Sequence, residues 1–110
     1  MIRDSIENIE KKVRETDSLK EQDKQELLKL LSNLEAEMLS LSKTHPEQAE
    51  SIAGFTRVSA HEATRTDKNE QLVRLSLKGL NSSIEGFETS HEELVKIVNS
   101  ISVILANMGL

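Results

Sequence analysis

One helix–turn–helix pattern occurs twice in this chain, 46 residues apart, and each copy is interrupted at a Ser/Thr-His-x-Glu signal. Leu27, Leu31, Leu34, Met38 and Leu41 lead into Thr44-His45-Pro46-Glu47. Val73, Leu77, Leu80, Ile84 and Phe87 lead into Ser90-His91-Glu92-Glu93. Both runs step by four, three, four and three residues, which keeps apolar side chains on one stripe of an α-helix. Matched identities beyond this are few: Leu31 with Leu77, Leu34 with Leu80, His45 with His91, Glu47 with Glu93 and Ala60 with Ala106. Apolar periodicity alone aligns any two amphipathic helices, so two unrelated hairpins are the competing reading. The shared Thr/Ser-His-x-Glu favours an internal repeat, 19–64 and 67–110.

At 110 residues the chain has the length of one domain and can bury a core without disulfides, which the absence of Cys excludes. The only aromatic residues are Phe55 and Phe87 and the only proline is Pro46, a profile that suits helices better than strands. The net charge of −5 is evenly spread: ten acids against eight bases over 1–44, three against two over 45–66, and six against four over 67–110. No segment supplies the basic stripe that nucleic-acid binding requires. The start, Met1-Ile2-Arg3-Asp4-Ser5, lacks the apolar run of a signal peptide, and no stretch is apolar enough for a membrane span. A cytoplasmic location is the expectation.

Helix starts are read from Ser, Thr or Asp followed three residues later by Glu, a pair that can satisfy two unpaired backbone N–H groups. Asp4…Glu7 opens a short first helix with the seam Ile2, Ile6, Ile9 and Val13, which closes at Thr16-Asp17-Ser18. Four further boxes open longer helices capped by Ser18, Thr44, Asp67 and Ser90. Pro46 falls in the first turn of the third helix, where its missing N–H costs nothing. Gly109 is expected at the C-terminal cap of the fifth. A single helix over about 68–108 is the alternative, because the stripe through Phe87 continues in phase through His91, Leu94, Val98, Ile101, Leu105 and Met108.

The faces differ in character. Leu94, Ile97, Val98, Ile101, Ile104, Leu105 and Met108 share about a third of one helical circumference, as a core helix requires. A membrane-surface role for this segment competes, but its polar face carries only Lys96 as a base. The third helix is rich in small residues, with Ile52 and Phe55 as expected anchors. The second carries Leu27, Leu28, Leu30, Leu31, Leu34, Met38, Leu39 and Leu41, a stripe wide enough to predict pairing with a second copy or another protein.

No motif for chemistry stands out, and neither a catalytic residue nor a cofactor is predicted. The four glycines are isolated, and His61-Glu62-Ala63-Thr64-Arg65 has Arg65 where a metalloprotease helix needs its second histidine. His45 and His91 could form a paired metal- or pH-sensing site, although local packing at the turns explains them as well. Arg57, His61, Glu62 and Arg65, with Asp67 nearby, form the most distinctive polar patch, either a partner surface or a solvated ion-pair network.

Phe87-Glu88-Thr89-Ser90-His91, then Leu94 and the terminal Leu105-Ala106-Asn107-Met108-Gly109-Leu110, resemble short uncharacterised bacterial proteins of domain-of-unknown-function family four-four-zero-four. Ser51-Ile52-Ala53-Gly54-Phe55 with His61-Glu62-Ala63-Thr64-Arg65 is similar to a longer subgroup of that family, and Glu92 stands where relatives often have proline. The resemblance implies a small bacterial, cytoplasmic helical protein and brings no activity, cofactor or catalytic residue. The expectation is an all-α antiparallel bundle, residues 1–110 as one domain, of two helix–turn–helix hairpins plus a short N-terminal helix. Its expected role is a non-enzymatic interaction or assembly module, with a homodimer or an unknown protein as partner. The alternatives are a metal- or small-ligand-binding regulator using His45 and His91, and a peripheral membrane protein.

Overall fold

The apolar stripes read from the sequence lie on helices and face inward, except that Ile84 and Phe87 reach the core from the turn after the fourth helix. The computed structural model describes residues 2–17 and 19–110. It contains α1 (Ile2–Glu15), α2 (Glu21–Leu41), α3 (Pro46–Thr64), α4 (Glu70–Ser83) and α5 (Glu92–Gly109), and no strand among the described residues. Ile2, Ile6, Ile9 and Val13 of α1, Leu27, Leu31, Leu34, Met38 and Leu41 of α2, and Leu94, Ile97, Val98, Ile101 and Leu105 of α5 are all buried. Hiding these side chains from water is the main favourable contribution to the bundle.

Consecutive helices alternate in direction. Arg3 of α1 lies 3.9 Å from Glu35 of α2 while Lys24 Nζ donates to the Arg14 carbonyl at 3.3 Å, so these two run antiparallel. Ser102 of α5 donates to Asn81 just inside the end of α4 at 3.2 Å. Around the bundle the order of neighbours is α1, α2, α5, α4, α3 and back to α1. The sequential pair α2 and α3 barely touches, because α1 packs against both. The N-terminal helix, expected to be short, has 14 residues like α4 and forms a full wall of the core, with Ile6 and Val13 completely buried.

Small side chains bring α3 and α4 together. Ala49, Ala53, Thr56, Ser59, Ala60 and Ala63 are buried on α3 and Ser76 on α4. The hydroxyls among them donate back into their own helices, Thr56 to the Ile52 carbonyl at 2.7 Å, Ser59 to that of Phe55 at 2.7 Å and Ser76 to that of Val73 at 2.9 Å. Burying them therefore leaves no unpaired donor. Ile52 is fully buried as expected, and Phe55, although 40% exposed, lays its ring on Gly79 of α4 and so still anchors α3 to its neighbour. Gly109 departs from expectation. Leu110 takes the C-cap position, and a Cβ at 109 would sit 2.9 Å from Val73 Cγ1 and 3.2 Å from the Ala63 Cα. Glycine is needed there for close approach of α5 to α3 and α4, not for a left-handed cap.

The break between α4 and α5 excludes a single helix over 68–108. Gly86 has φ +95°, a conformation that costs an L-residue about 1–2 kcal/mol. Its N–H donates to Glu88 Oε2 at 2.7 Å. Ile84 and Phe87 stay buried across this turn, so the apolar stripe runs on in phase although the helix does not.

The starts of α2 to α5 fall one or two residues beyond the anticipated caps, whereas α1 already runs from Ile2, so Asp4 lies inside its first turn and does not open it. Lys20 flanks the start of α2 without a side-chain cap, and Ser18 lies outside the described residues. His45, not Thr44, is the N-cap of α3, because a residue before proline is held out of the helical region. His91, not Ser90, is the N-cap of α5; the Ser90 hydroxyl is engaged instead with His91 Nδ1 at 2.9 Å. At α4 the cap is Asn69, whose Oδ1 accepts from the Leu72 N–H at 3.2 Å, and Asp67 lies outside the helix. Asn69→Ala is accordingly expected to lose about 1 kcal/mol in urea unfolding, whereas Asp67→Ala should change stability by less than about 0.5 kcal/mol. Equal losses at both positions would reinstate Asp67 as the cap.

Candidate functional site

The two histidine turns meet at one end of the bundle. His45 has φ −134° and ψ 64°, and His91 has φ −138° and ψ 60°, so both leave the preceding turn in the same conformation. The His45 N–H donates to the Leu41 carbonyl at 2.7 Å and the His91 N–H to that of Phe87 at 2.9 Å. Each Nδ1 shares a hydrogen bond with the preceding hydroxyl, Thr44 Oγ1 at 2.8 Å and Ser90 Oγ at 2.9 Å. The rings of His45, Phe87 and His91 stand almost mutually perpendicular, with centroids 5.5 Å apart for His45–Phe87, 5.2 Å for Phe87–His91 and 5.8 Å for His45–His91. Edge-to-face pairs of this kind add about 0.5–1.5 kcal/mol each beyond burial. The arrangement clasps the α2–α3 turn to the α4–α5 turn.

A second cluster forms where α1 lies along α3. The predicted patch divides there. Arg65 Nη1 lies 2.8 Å from Glu62 Oε1, and this hydrogen bond and charge hold the Arg65 guanidinium more firmly protonated. Arg57 and His61 are exposed and face α1 instead, which contributes Asn8 and Lys12. Lys12 Nζ lies 3.0 Å from His61 Nδ1, and His61 Nε2 stands 4.0 Å from Glu62 Oε2. Asn8 and Lys12 were not singled out by sequence reasoning. Their four-residue spacing matches that of Arg57 and His61, but only the packing of α1 on α3 brings the pairs together. Elsewhere on α1, burial pushes the Glu10 carboxyl up, Arg14 pulls it down, and Glu35 and Glu7 raise it further.

A third feature is apolar and exposed. Phe55 of α3, Leu72 and Leu75 of α4 have 40%, 39% and 57% of their surface in solvent. The Phe55 ring lies against Gly79, where an added Cβ would overlap it. Of the leucine stripe of α2, expected to face a partner, Leu27, Leu31, Leu34, Met38 and Leu41 are buried, Leu28 and Leu30 pack partly against the core, and Leu39 stays part-exposed.

No family model, curated protein or solved structure matches this chain.

Among the described residues no group of three His, Asp or Glu side chains is placed to hold a metal ion. No helix among them is long and apolar enough to cross a membrane.

Proposed function

We propose that this chain is a helical protein-interaction and assembly module without catalytic activity, and that it docks through the strip formed by Phe55, Leu72 and Leu75. The observation that carries this reading is the exposure of three large apolar side chains on two adjacent helices of a small domain whose remaining stripes are turned inward. The partner we assign is a second copy. Glu47 and Glu50 on α3 and Lys78 on α4 are exposed and of opposite charge, whereas Arg74 is paired with Glu70 on its own helix; a two-fold interface brings each helix of one copy toward the other helix of its partner. The absence of cysteine suits the cytoplasm as the place of action.

The competing readings have weaker support. A metal-binding regulator built on His45 and His91 would need a third ligand and convergent ring nitrogens, whereas these rings meet edge to face. Membrane attachment through α5 would draw on side chains that already fill the core, since only Val103 and Leu110 among its large apolar residues are well exposed. Sedimentation velocity is expected to show a concentration-dependent dimer over about 1–100 μM, the range of a moderate interface. Leu75→Glu should yield a monomer of unchanged helicity, while Val103→Glu, on another face, leaves the dimer intact. A wild-type monomer throughout that range would overturn self-assembly through this strip.

A further inference from the structure

The groove between α1 and α3 is lined by two cations, Lys12 and Arg57, that form no ion pair among the described residues. Asn8 and Lys12 of α1 and Arg57 and His61 of α3 surround a depression of about 240 Å³, floored by Ile9 and Ala60. No carboxylate lines it, although the chain as a whole carries a net charge of −5. The partner that Lys12 does have is His61 Nδ1 at 3.0 Å. An ammonium donating to that nitrogen requires an imidazole whose proton sits on Nε2, so the contact orients Lys12 without cancelling its charge.

From this geometry we infer that the α1–α3 groove binds the phosphoryl group of a small phosphate monoester. The donor set matches such an oxyanion: the planar Arg57 fork, the Lys12 point charge and the Asn8 amide line the depression from two helices, while His61 holds Lys12 through Nδ1 and turns its Nε2 toward Glu62. Ile9 and Ala60 form an apolar floor on one side of the depression. The volume lies below the range of drug-sized ligand pockets and suits a compact head group. The remainder of the ester has its own place. A neighbouring depression of about 400 Å³ shares Lys12 and His61, and there Thr16 and Thr66 with the carboxylates of Glu15 and Asp67 can meet hydroxyl groups. Arg65 borders that second space but is already engaged by Glu62. The ligand class is therefore a phosphorylated polyol, either soluble or as the head group of a lipid.

The test is a titration of the ¹⁵N-labelled protein with glycerol 3-phosphate, followed by amide shifts at constant ionic strength. Saturable shifts centred on residues 8–12 and 57–61 are expected, with a dissociation constant of about 1 mM or tighter, the affinity that a few charge-assisted hydrogen bonds support. Inorganic phosphate should shift the same residues more weakly, and acetate should not. Arg57→Gln and Lys12→Gln, at exposed positions where folding is unaffected, should each weaken binding about tenfold; Lys78→Gln on α4 should not. Flotation with phosphatidic acid vesicles separates the sources: co-flotation lost in Arg57→Gln assigns a lipid head group, and its absence together with the soluble shifts assigns a free ester. No saturable shift up to about 10 mM, which is tenfold above that constant, would overturn the inference. Equal weakening by Lys78→Gln would do so too, because it would show diffuse attraction instead of a site. The strip on α3 and α4 plays no part, so Leu75→Glu should bind the ester normally.

Discussion

Ile6→Asp is expected to leave the chain unfolded at neutral pH. Ile6 sits in the middle of α1 with no solvent exposure, on a helix that packs against both α2 and α3. A carboxylate there would be desolvated with no cation in the apolar seam to compensate it, a cost of several kcal/mol. The milder Ile6→Ala should cost about 2–5 kcal/mol through lost burial and the cavity left behind. A domain of this size has only about 5–15 kcal/mol to lose. Circular dichroism at 222 nm and urea denaturation measure both variants. If Ile6→Ala lost less than about 0.5 kcal/mol, the range of neutral surface changes, α1 would be an appendage and the groove it forms with α3 would not exist in solution.

Phe87→Ala is expected to cost about 3–5 kcal/mol, the usual range for removing a buried aromatic ring. Phe87 is 7% exposed and lies in the turn between α4 and α5, with the rings of His45 and His91 edge-on to it. Phe87→Leu separates two contributions. Leucine restores most of the apolar burial but not the edge-to-face contacts, so its cost should be near 1–2 kcal/mol if those contacts add what such pairs usually do. Equal costs for Ala and Leu would assign the stabilisation to ring geometry alone, whereas a loss below about 1 kcal/mol for Phe87→Ala would show that the two turns are not clasped by this cluster. Unfolding monitored at both near- and far-ultraviolet wavelengths would distinguish local loosening of the turns from global destabilisation.

The helical stripes were legible because burial follows periodicity so closely. Leu27, Leu31, Leu34, Met38 and Leu41 were placed on one face by their spacing alone, and all are buried. The same signal left a single helix over 68–108 open as the alternative, since a stripe can continue in phase across a turn when Ile84 and Phe87 reach the core from outside the helix. The decisive residue was Gly86, whose positive φ turns the chain. Cap positions slipped for a related reason. Several polar residues near each start are chemically able to cap, and which one meets the exposed N–H depends on where the backbone leaves the helix, as Asn69 and not Asp67 does at α4.

The polar patch illustrates a different limit. Arg57, His61, Glu62 and Arg65 were found as a local cluster on one helix, and two of them are spent on each other. The uncompensated charge arises only with Lys12, 49 positions earlier in the chain than His61. His45 and His91 were likewise visible as matching signals, but their meeting across Phe87 depends on two turns being carried to the same end of the bundle.

Residue order alone determined that this protein is built from helices, which face of each turns inward, and that two turns share one design, because those properties depend on neighbours three and four positions apart. The tertiary structure decided that α1 would stand between α2 and α3, which leucines would be covered and which charges would be left without partners. Such outcomes depend on how side chains of different helices fill common space, and no periodicity within a single helix encodes that fit.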